Sequence, residues 1–271
     1  MTSDRVDIVV FSPHPDDEVI GTGGVIQRAL AAGKRVRVVF STSGDGYPRA
    51  AARLAGKQVD GLEPSDFIRL GETRRAEAVA ADALLGLGEA DLVHLGFPDG
   101  AFLSVLGATG KHPVTAPLTH LAASPTTGAP YTCAAALEAF SGVLAESRPG
   151  EVYVTDAADD HADHRATYAV VAEAMRATRS NAQLFTFLVH AAGDRWPDPG
   201  PTFETKTIDG TVYPQHIAWP PPIRRPVTGQ EAEVKRRALT RHASQWALDH
   251  EYLGAFVKSE EVFWPGAMAR N

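Results

Sequence analysis

Short runs of β-branched and aromatic residues alternate along this chain with alanine-rich segments of helical length, and this alternation constrains the fold more than any other feature. Asp7 to Ser12 (DIVVFS) and Arg35 to Thr42 (RVRVVFST) are two such runs with a helix-length segment between them, the pattern of a βαβ unit. Leu92 to Leu95, Val152 to Thr155 and Leu184 to Val189 read as three further strands. Each follows an alanine-rich helical segment, at Thr73 to Leu87, Ala134 to Glu146 and Arg165 to Arg176. The sequence therefore predicts an α/β, Rossmann-like three-layer fold: a mostly parallel sheet, helices on both faces, and functional loops at the carboxyl edge of the strands. One such domain accounts for all 271 residues, because a single core grows to roughly 250–300 residues before chains usually divide.

Residues 43–65 and 100–130 are rich in Gly, Pro, Thr and Ala and are expected to be long loops over that edge, where specificity tends to reside. The region around 191–229 carries WPDPGP and WPPPIRRP. Its prolines lack amide donors and bar regular helix or central strand, so an irregular lid or cap is expected. A last helix is predicted from Gln230 to about Leu248.

With 26 basic and 33 acidic residues the formal charge is −7, which repels a phosphate backbone and argues against nucleic acid as a partner. No run approaches the roughly 20 apolar residues that span a bilayer. The start MTSDRVDIVVF enters a strand without a cationic signal region, so a cytoplasmic location and a small-molecule substrate are the expectation. Cys133 is the only cysteine, which excludes an intrachain disulfide and a thiolate-rich metal site. Any metal is left to nitrogen and oxygen.

Two clusters carry the chemistry. Directly after the first strand comes Ser12-Pro13-His14-Pro15-Asp16-Asp17-Glu18, in which two prolines stiffen a loop that presents an imidazole and three carboxylates. After the fourth strand comes Asp159-Asp160-His161-Ala162-Asp163-His164-Arg165. Either run alone has an ordinary reading, as an acidic helix start or a solvated polar loop. In a parallel sheet, however, both lie at the carboxyl edge and can converge. Two imidazoles and a carboxylate suit zinc and leave a position open for water. A second carboxylate can then accept the water's proton, and adjacent aspartates supply one for each task. Gly21-Thr22-Gly23-Gly24 is no dinucleotide fingerprint, because Ile26 stands where the third glycine belongs; it reads as close packing of the first helix.

The segment Pro13 to Gly24 resembles the PHPDDE signature of the LmbE-like, or PIG-L, family of zinc-dependent N-acetylglucosaminyl deacetylases. Arg74-Arg75-Ala76-Glu77 before Leu85-Gly86, Leu95 to Gly100 (LGFPDG), His161 to His164 (HADH) and the stretch from Lys235 through His242-Ala243-Ser244-Gln245 resemble it too. The resemblance implies zinc ligands at His14, Asp17 and His164, a general base at Asp16, and a charged helper at His161 whose ring Asp163 orients. It also implies polar contacts to the sugar from Arg74 and Asp99. Ala162 departs from the proline that relatives often carry, and the proline-rich insertion is a further departure; neither removes a ligand.

Relatives act on inositol-linked glucosamine, thiol precursors, chitooligosaccharides or glycopeptide antibiotic scaffolds. Trp196, Trp219 and the prolines would suit a bulky aromatic acceptor, so the expected substrate is a glycosylated natural product such as a glycopeptide pseudoaglycone, with inositol-linked or thiol-precursor glucosamine as the alternative. Two other classes share the ligand set. A non-haem iron(II) oxygenase also uses two histidines and a carboxylate. A non-catalytic metal or sugar-binding module would need a fourth protein ligand, for example His94 or His112. Those two and His120, His190, His216 and His250 have no motif around them and read as surface or core residues.

Overall fold

The structure, a computed structural model, describes residues 5–108, 112–191, 196–208, 211–213 and 220–266. Strand β1 (Ile8–Ser12) leads into α1 (Asp17–Ala31) and β2 (Val36–Thr42). Helices α2 (Pro48–Ala55) and α3 (Pro64–Leu85) precede β3 (Leu92–Phe97). Helices α4 (Phe102–Gly107) and α5 (Cys133–Ser147) precede β4 (Glu151–Thr155), and α6 (Ala162–Ala177) leads to β5 (Gln183–Phe187). A small hairpin of β6 (Lys206–Ile208) and β7 (Thr211–Tyr213) follows, then β8 (Ile223–Pro226), α7 (Gly229–Leu239), α8 (Ala243–Gly254) and β9 (Glu260–Pro265).

The seven-stranded sheet runs β3-β2-β1-β4-β5-β9-β8. Its first five strands are parallel, while β9 and β8 join antiparallel at one edge. The order reverses between β1 and β4, and in open α/β sheets the crevice outside such a switch point is where ligands bind. Alternation along β1 builds the layers: Ile8 and Val10 enter one apolar core with α1, α3 and α7, while Val9 and Phe11 enter a second core with α5 and α6. The predicted three-layer α/β fold is the observed one. Among the described residues no helix is long and apolar enough to cross a membrane.

The glycines of α1 pack as the sequence implied. A Cβ on Gly21 would sit 2.3 Å from the Phe187 ring, and one on Gly24 would sit 2.8 Å from Val227 Cγ2. Between the helix and the sheet edge lies a buried ion pair, with Lys235 Nζ 2.8 Å from Glu261 Oε1. The Glu261 carboxylate also accepts the amides of Gly24 and Val25 at 2.7 and 2.9 Å.

Two expectations need correcting. Residues 43–65 are not all loop: Pro48 at the first helical turn and Gly56 in the left-handed region past its end delimit α2, the usual asymmetry of helix termini. The last helix is two, because Glu77 of α3 accepts both Ser244 N–H and Ser244 Oγ–H, at 2.8 and 2.7 Å, and so starts a new helix at Ala243. Where it is described, the proline-rich region packs onto the core. Trp196 is buried against Phe203 and Trp264, with its indole N–H donated to Leu188 O, and Lys258 Nζ holds Asp198 O and Gly200 O. Trp219 lies outside the described residues, as do His216 and residues 192–195.

Candidate metal centre and active site

The loop after β1 is fixed before it meets any ligand. Asp16 has φ +139°, a conformation side chains disfavour. Its amide is held by Glu18 Oε2 at 2.9 Å, and the same oxygen accepts Ser12 Oγ–H at 3.0 Å. From α3, Arg74 donates to Pro15 O at 2.8 Å and Gly44 O at 3.1 Å. Glu18 is thus spent on the loop's shape, and Asp16 and Asp17 project separately: Asp17 towards the histidines, Asp16 into the cavity.

His14 Nδ1, Asp17 Oδ2 and His164 Nε2 form a triangle with all three sides 3.2 Å. Each of the three residues is at least nine-tenths buried. Atoms bound about 2.0–2.1 Å from a common tetrahedral centre stand about 3.3 Å apart, so this donor set fits a zinc-sized cation. The electrostatics agree. Burial opposes charge on His164, yet the carboxylates of Asp159 and Asp17 outweigh it and raise the imidazole to about 9. Burial likewise favours a neutral Asp17, but His164 and His14 hold its carboxyl well below the usual range. The site is built to hold positive charge.

A second set of contacts orients these ligands. His14 Nε2 faces Asp99 Oδ1 at 3.2 Å and Asp163 Oδ2 at 3.5 Å, which puts its proton on Nε2 and leaves Nδ1 as the donor atom. Asp159 Oδ2 lies 3.2 Å from His164 Nδ1 and accepts the amides of Val189 and His190, while its Oδ1 accepts that of His161. One buried carboxylate therefore aims a ligand and pins two loops. Sequence reading left Asp159 in the cluster without a task.

The remaining expected residues converge on the same place with altered partners. Arg74, buried, donates to Asp16 Oδ2 at 3.1 Å and holds the expected base. Asp99 accepts the Gly46 amide at 2.8 Å besides facing His14. The Asp163 carboxylate takes the amides of Gly100 and Phe102 at 2.6 and 3.1 Å, and it is the Asp163 backbone N–H that meets His161 Nδ1, at 3.3 Å. Because that nitrogen accepts, the His161 proton resides on Nε2. Burial, with His14 and His164 nearby, lowers the ring to about 3, which disfavours the charged form. His161 also offers a nitrogen within 4.8 Å of those of His14 and His164. Neither suggested fourth ligand joins them: His94 stacks on Phe40 and His112 is exposed.

A cavity of about 360 Å³ opens over this centre, lined by His14, Asp16, Asp17, Arg74, Asp99 and His161 on one side. Tyr47, His190, Gln245, Asp249 and Tyr252 also line it. Those five had no assigned role, and His190 had been expected to be ordinary. Gln245, Asp249 and Tyr252 recur at intervals of four and three, a polar stripe on one helix face that was legible once the last helix was known to reach the cavity. Among the described residues none from 196 to 229 lines it.

A family profile for GlcNAc-PI de-N-acetylases, PIG-L, matches residues 9–175. A putative glucosamine-6-phosphate deaminase-like protein of Bacteroides thetaiotaomicron is 24% identical over 97% of this chain. The chain spans only 39% of that protein's length. A 1D-myo-inositol 2-acetamido-2-deoxy-alpha-D-glucopyranoside deacetylase of Rhodococcus erythropolis is 26% identical over 90% of this chain and 83% of its own. Among solved structures, the A40926 pseudoaglycone deacetylase superposes with a TM-score of 0.62 over 98% of this chain and 99% of its own, at 21% identity. At that identity the likeness speaks to the fold.

Proposed function

The chain belongs to the PIG-L family, the GlcNAc-PI de-N-acetylases, and from that premise we propose that it is a metal-dependent amide hydrolase that removes the acetyl group from an N-acetylglucosaminyl conjugate. The observation that carries this reading is the buried 3.2 Å triangle of His14 Nδ1, Asp17 Oδ2 and His164 Nε2 beneath a cavity that also holds Asp16. Those three atoms would hold zinc, which when bound supplies Lewis acidity that makes a water acidic near neutral pH and polarises an amide carbonyl.

The chain's own residues do the rest. Asp16 accepts a proton from the attacking water. Burial raises its carboxyl to about 6 even though Arg74 opposes the shift, close to what a base working near neutrality requires. Arg74 fixes the direction of that carboxylate. His161 offers its Nε2–H to the oxygen that gains negative charge, a preorganised donor of the kind that stabilises acyl-transfer intermediates. As the carbon–nitrogen bond breaks, the proton taken by Asp16 passes to the departing amine, and acetate and a free amino sugar leave.

The carrier of the sugar is read from the relatives. A glycopeptide pseudoaglycone is supported by the structural neighbour, and an inositol-linked sugar by the Rhodococcus relative. The test is to incubate zinc-loaded protein with N-acetylglucosaminyl inositol, diacetylchitobiose and a glycopeptide pseudoaglycone, and to follow acetate release and loss of the acetyl mass. Acetate from one or more of them, abolished by a chelator, is the expected result; no mass change with any of them overturns the reading.

A further inference from the structure

The reaction proposed above uses one side of the cavity and leaves the other without a task. That other side is the face of α8 carrying Gln245, Asp249, Tyr252 and Leu253, with Tyr47 across from it. Helix α8 deforms at one of these residues: Asp249 has φ −131° and ψ 29° where its neighbours are helical. Its Oδ2 accepts the Tyr47 hydroxyl at 2.9 Å. Tyr47 directly follows Gly46, whose amide holds Asp99, so this pair is tied to the catalytic wall through one peptide. Asp249 is partly exposed and lines the cavity, and a carboxylate can only accept. A ligand group that meets it must be an O–H or N–H donor.

Charge narrows the choice. Asp16, Asp17, Asp99 and Asp249 line the cavity together with a single guanidinium, Arg74. Its terminal nitrogens donate to Asp16 and to the carbonyls of Pro15 and Gly44. Even with a divalent ion at the triangle, four carboxylates outnumber three positive charges. A phosphate entering beside Asp249 would meet like charge, whereas hydroxyls can donate to it. A cavity of about 360 Å³ is also small among ligand sites, which run from about 300 to 1,000 Å³; it suits one sugar ring, with the carrier passing over this rim.

Resting on the deacetylase reading, we propose that Asp249, aligned by Tyr47, is a specificity-determining subsite that binds hydroxyl groups of the conjugate and turns away conjugates bearing phosphate. Substrates are therefore neutral and hydroxyl-rich. The bland alternative is that the pair only braces α2 against α8, and the test separates the two.

Steady-state kinetics would be measured on N-acetylglucosaminyl inositol and diacetylchitobiose, and on N-acetylglucosamine 1-phosphate and 6-phosphate, with wild type, Asp249→Ala, Asp249→Asn and Tyr47→Phe. Wild type should favour the neutral compounds in kcat/KM by tenfold or more. Both Asp249 variants should raise KM for the neutral compounds about tenfold and narrow the neutral-to-phosphate ratio, as expected when a contact made equally in ground and transition states is lost. Tyr47→Phe breaks the same brace but keeps the carboxylate, so it should still reject phosphate. If Asp249→Ala leaves that ratio where it was, or if Tyr47→Phe and Asp249→Ala lower all four substrates in parallel, the subsite is refuted and the reaction stands. If wild type releases no acetate from any of them, calorimetric binding of the same compounds still decides: a neutral preference lost in Asp249→Ala upholds the subsite while the reaction falls, and equal binding of neutral and phosphorylated compounds refutes it.

Discussion

Two carboxylates one residue apart in the chain have been given different work by their surroundings. Asp17 lies between two imidazoles and Asp16 under a guanidinium, so their replacements should fail differently. Asp16→Asn should keep its zinc and lose about 10²–10⁴-fold in kcat, the range for a general base; full activity in a metal-loaded variant would end its assignment. Asp159→Asn should do the reverse, weakening zinc roughly 10–100-fold, as loss of a carboxylate behind a ligating histidine does, with the metal-saturated rate less affected. Competition against a chromophoric chelator reads that change. The two motif clusters made His14, Asp16, Asp17, His161 and His164 candidates before any coordinates, because metal-assisted hydrolysis needs those residue types, while their division into ligands, base and helper is what the family resemblance implies. Asp159, Asp249 and Tyr47 were not legible, since a carboxylate behind a histidine or a tyrosine on a rim is defined by what folds against it and leaves no local pattern.

Secondary-structure elements are held against this centre by contacts that can be broken one at a time. Lys235→Ala would leave the Glu261 carboxylate buried without its cation, a change that costs about 3–5 kcal/mol and should appear as an early urea transition. Gly21→Ala should cost about 1–3 kcal/mol through overpacking on Phe187, which would confirm that the glycine run of α1 serves packing. In β3, burial and Arg75 lower the His94 imidazole to about 4, against about 6.5 in an unfolded chain. The unfolded chain then takes up this proton first. Stability is fullest above pH 6.5 and declines as pH falls towards 4, and His94→Phe should flatten that acid limb in melting curves recorded from pH 7.5 to 5. The alternation of strand and helix foretold five parallel strands. It did not foretell that the proline-rich region would reach the sheet as β8, nor that Glu77 would divide the last helix, because both depend on partners remote in sequence.

At the scale of the whole molecule, one ion should couple chemistry to stability. Zinc at 100-fold excess over its dissociation constant adds about 2.7 kcal/mol to the folded state, so chelation should lower Tm by several degrees as well as stop acetate release, and readdition should restore both. The proposed centre sits where strand order reverses, its expected ligands His14 and Asp17 following β1 and His164 lying in the first turn of α6 after β4. All of those ligands fall within residues 9–175, the part matched by the family profile, whereas the facing stripe on α8 lies beyond it. The proposed carrier contact at Asp249 thus comes from beyond that match, although its partner Tyr47 comes from within it. A chimera that joins the first two thirds of this protein to the closing third of a relative should hydrolyse at the parent's pace while inheriting the other protein's taste in carriers, which makes the C-terminal helix the natural place to graft a new preference.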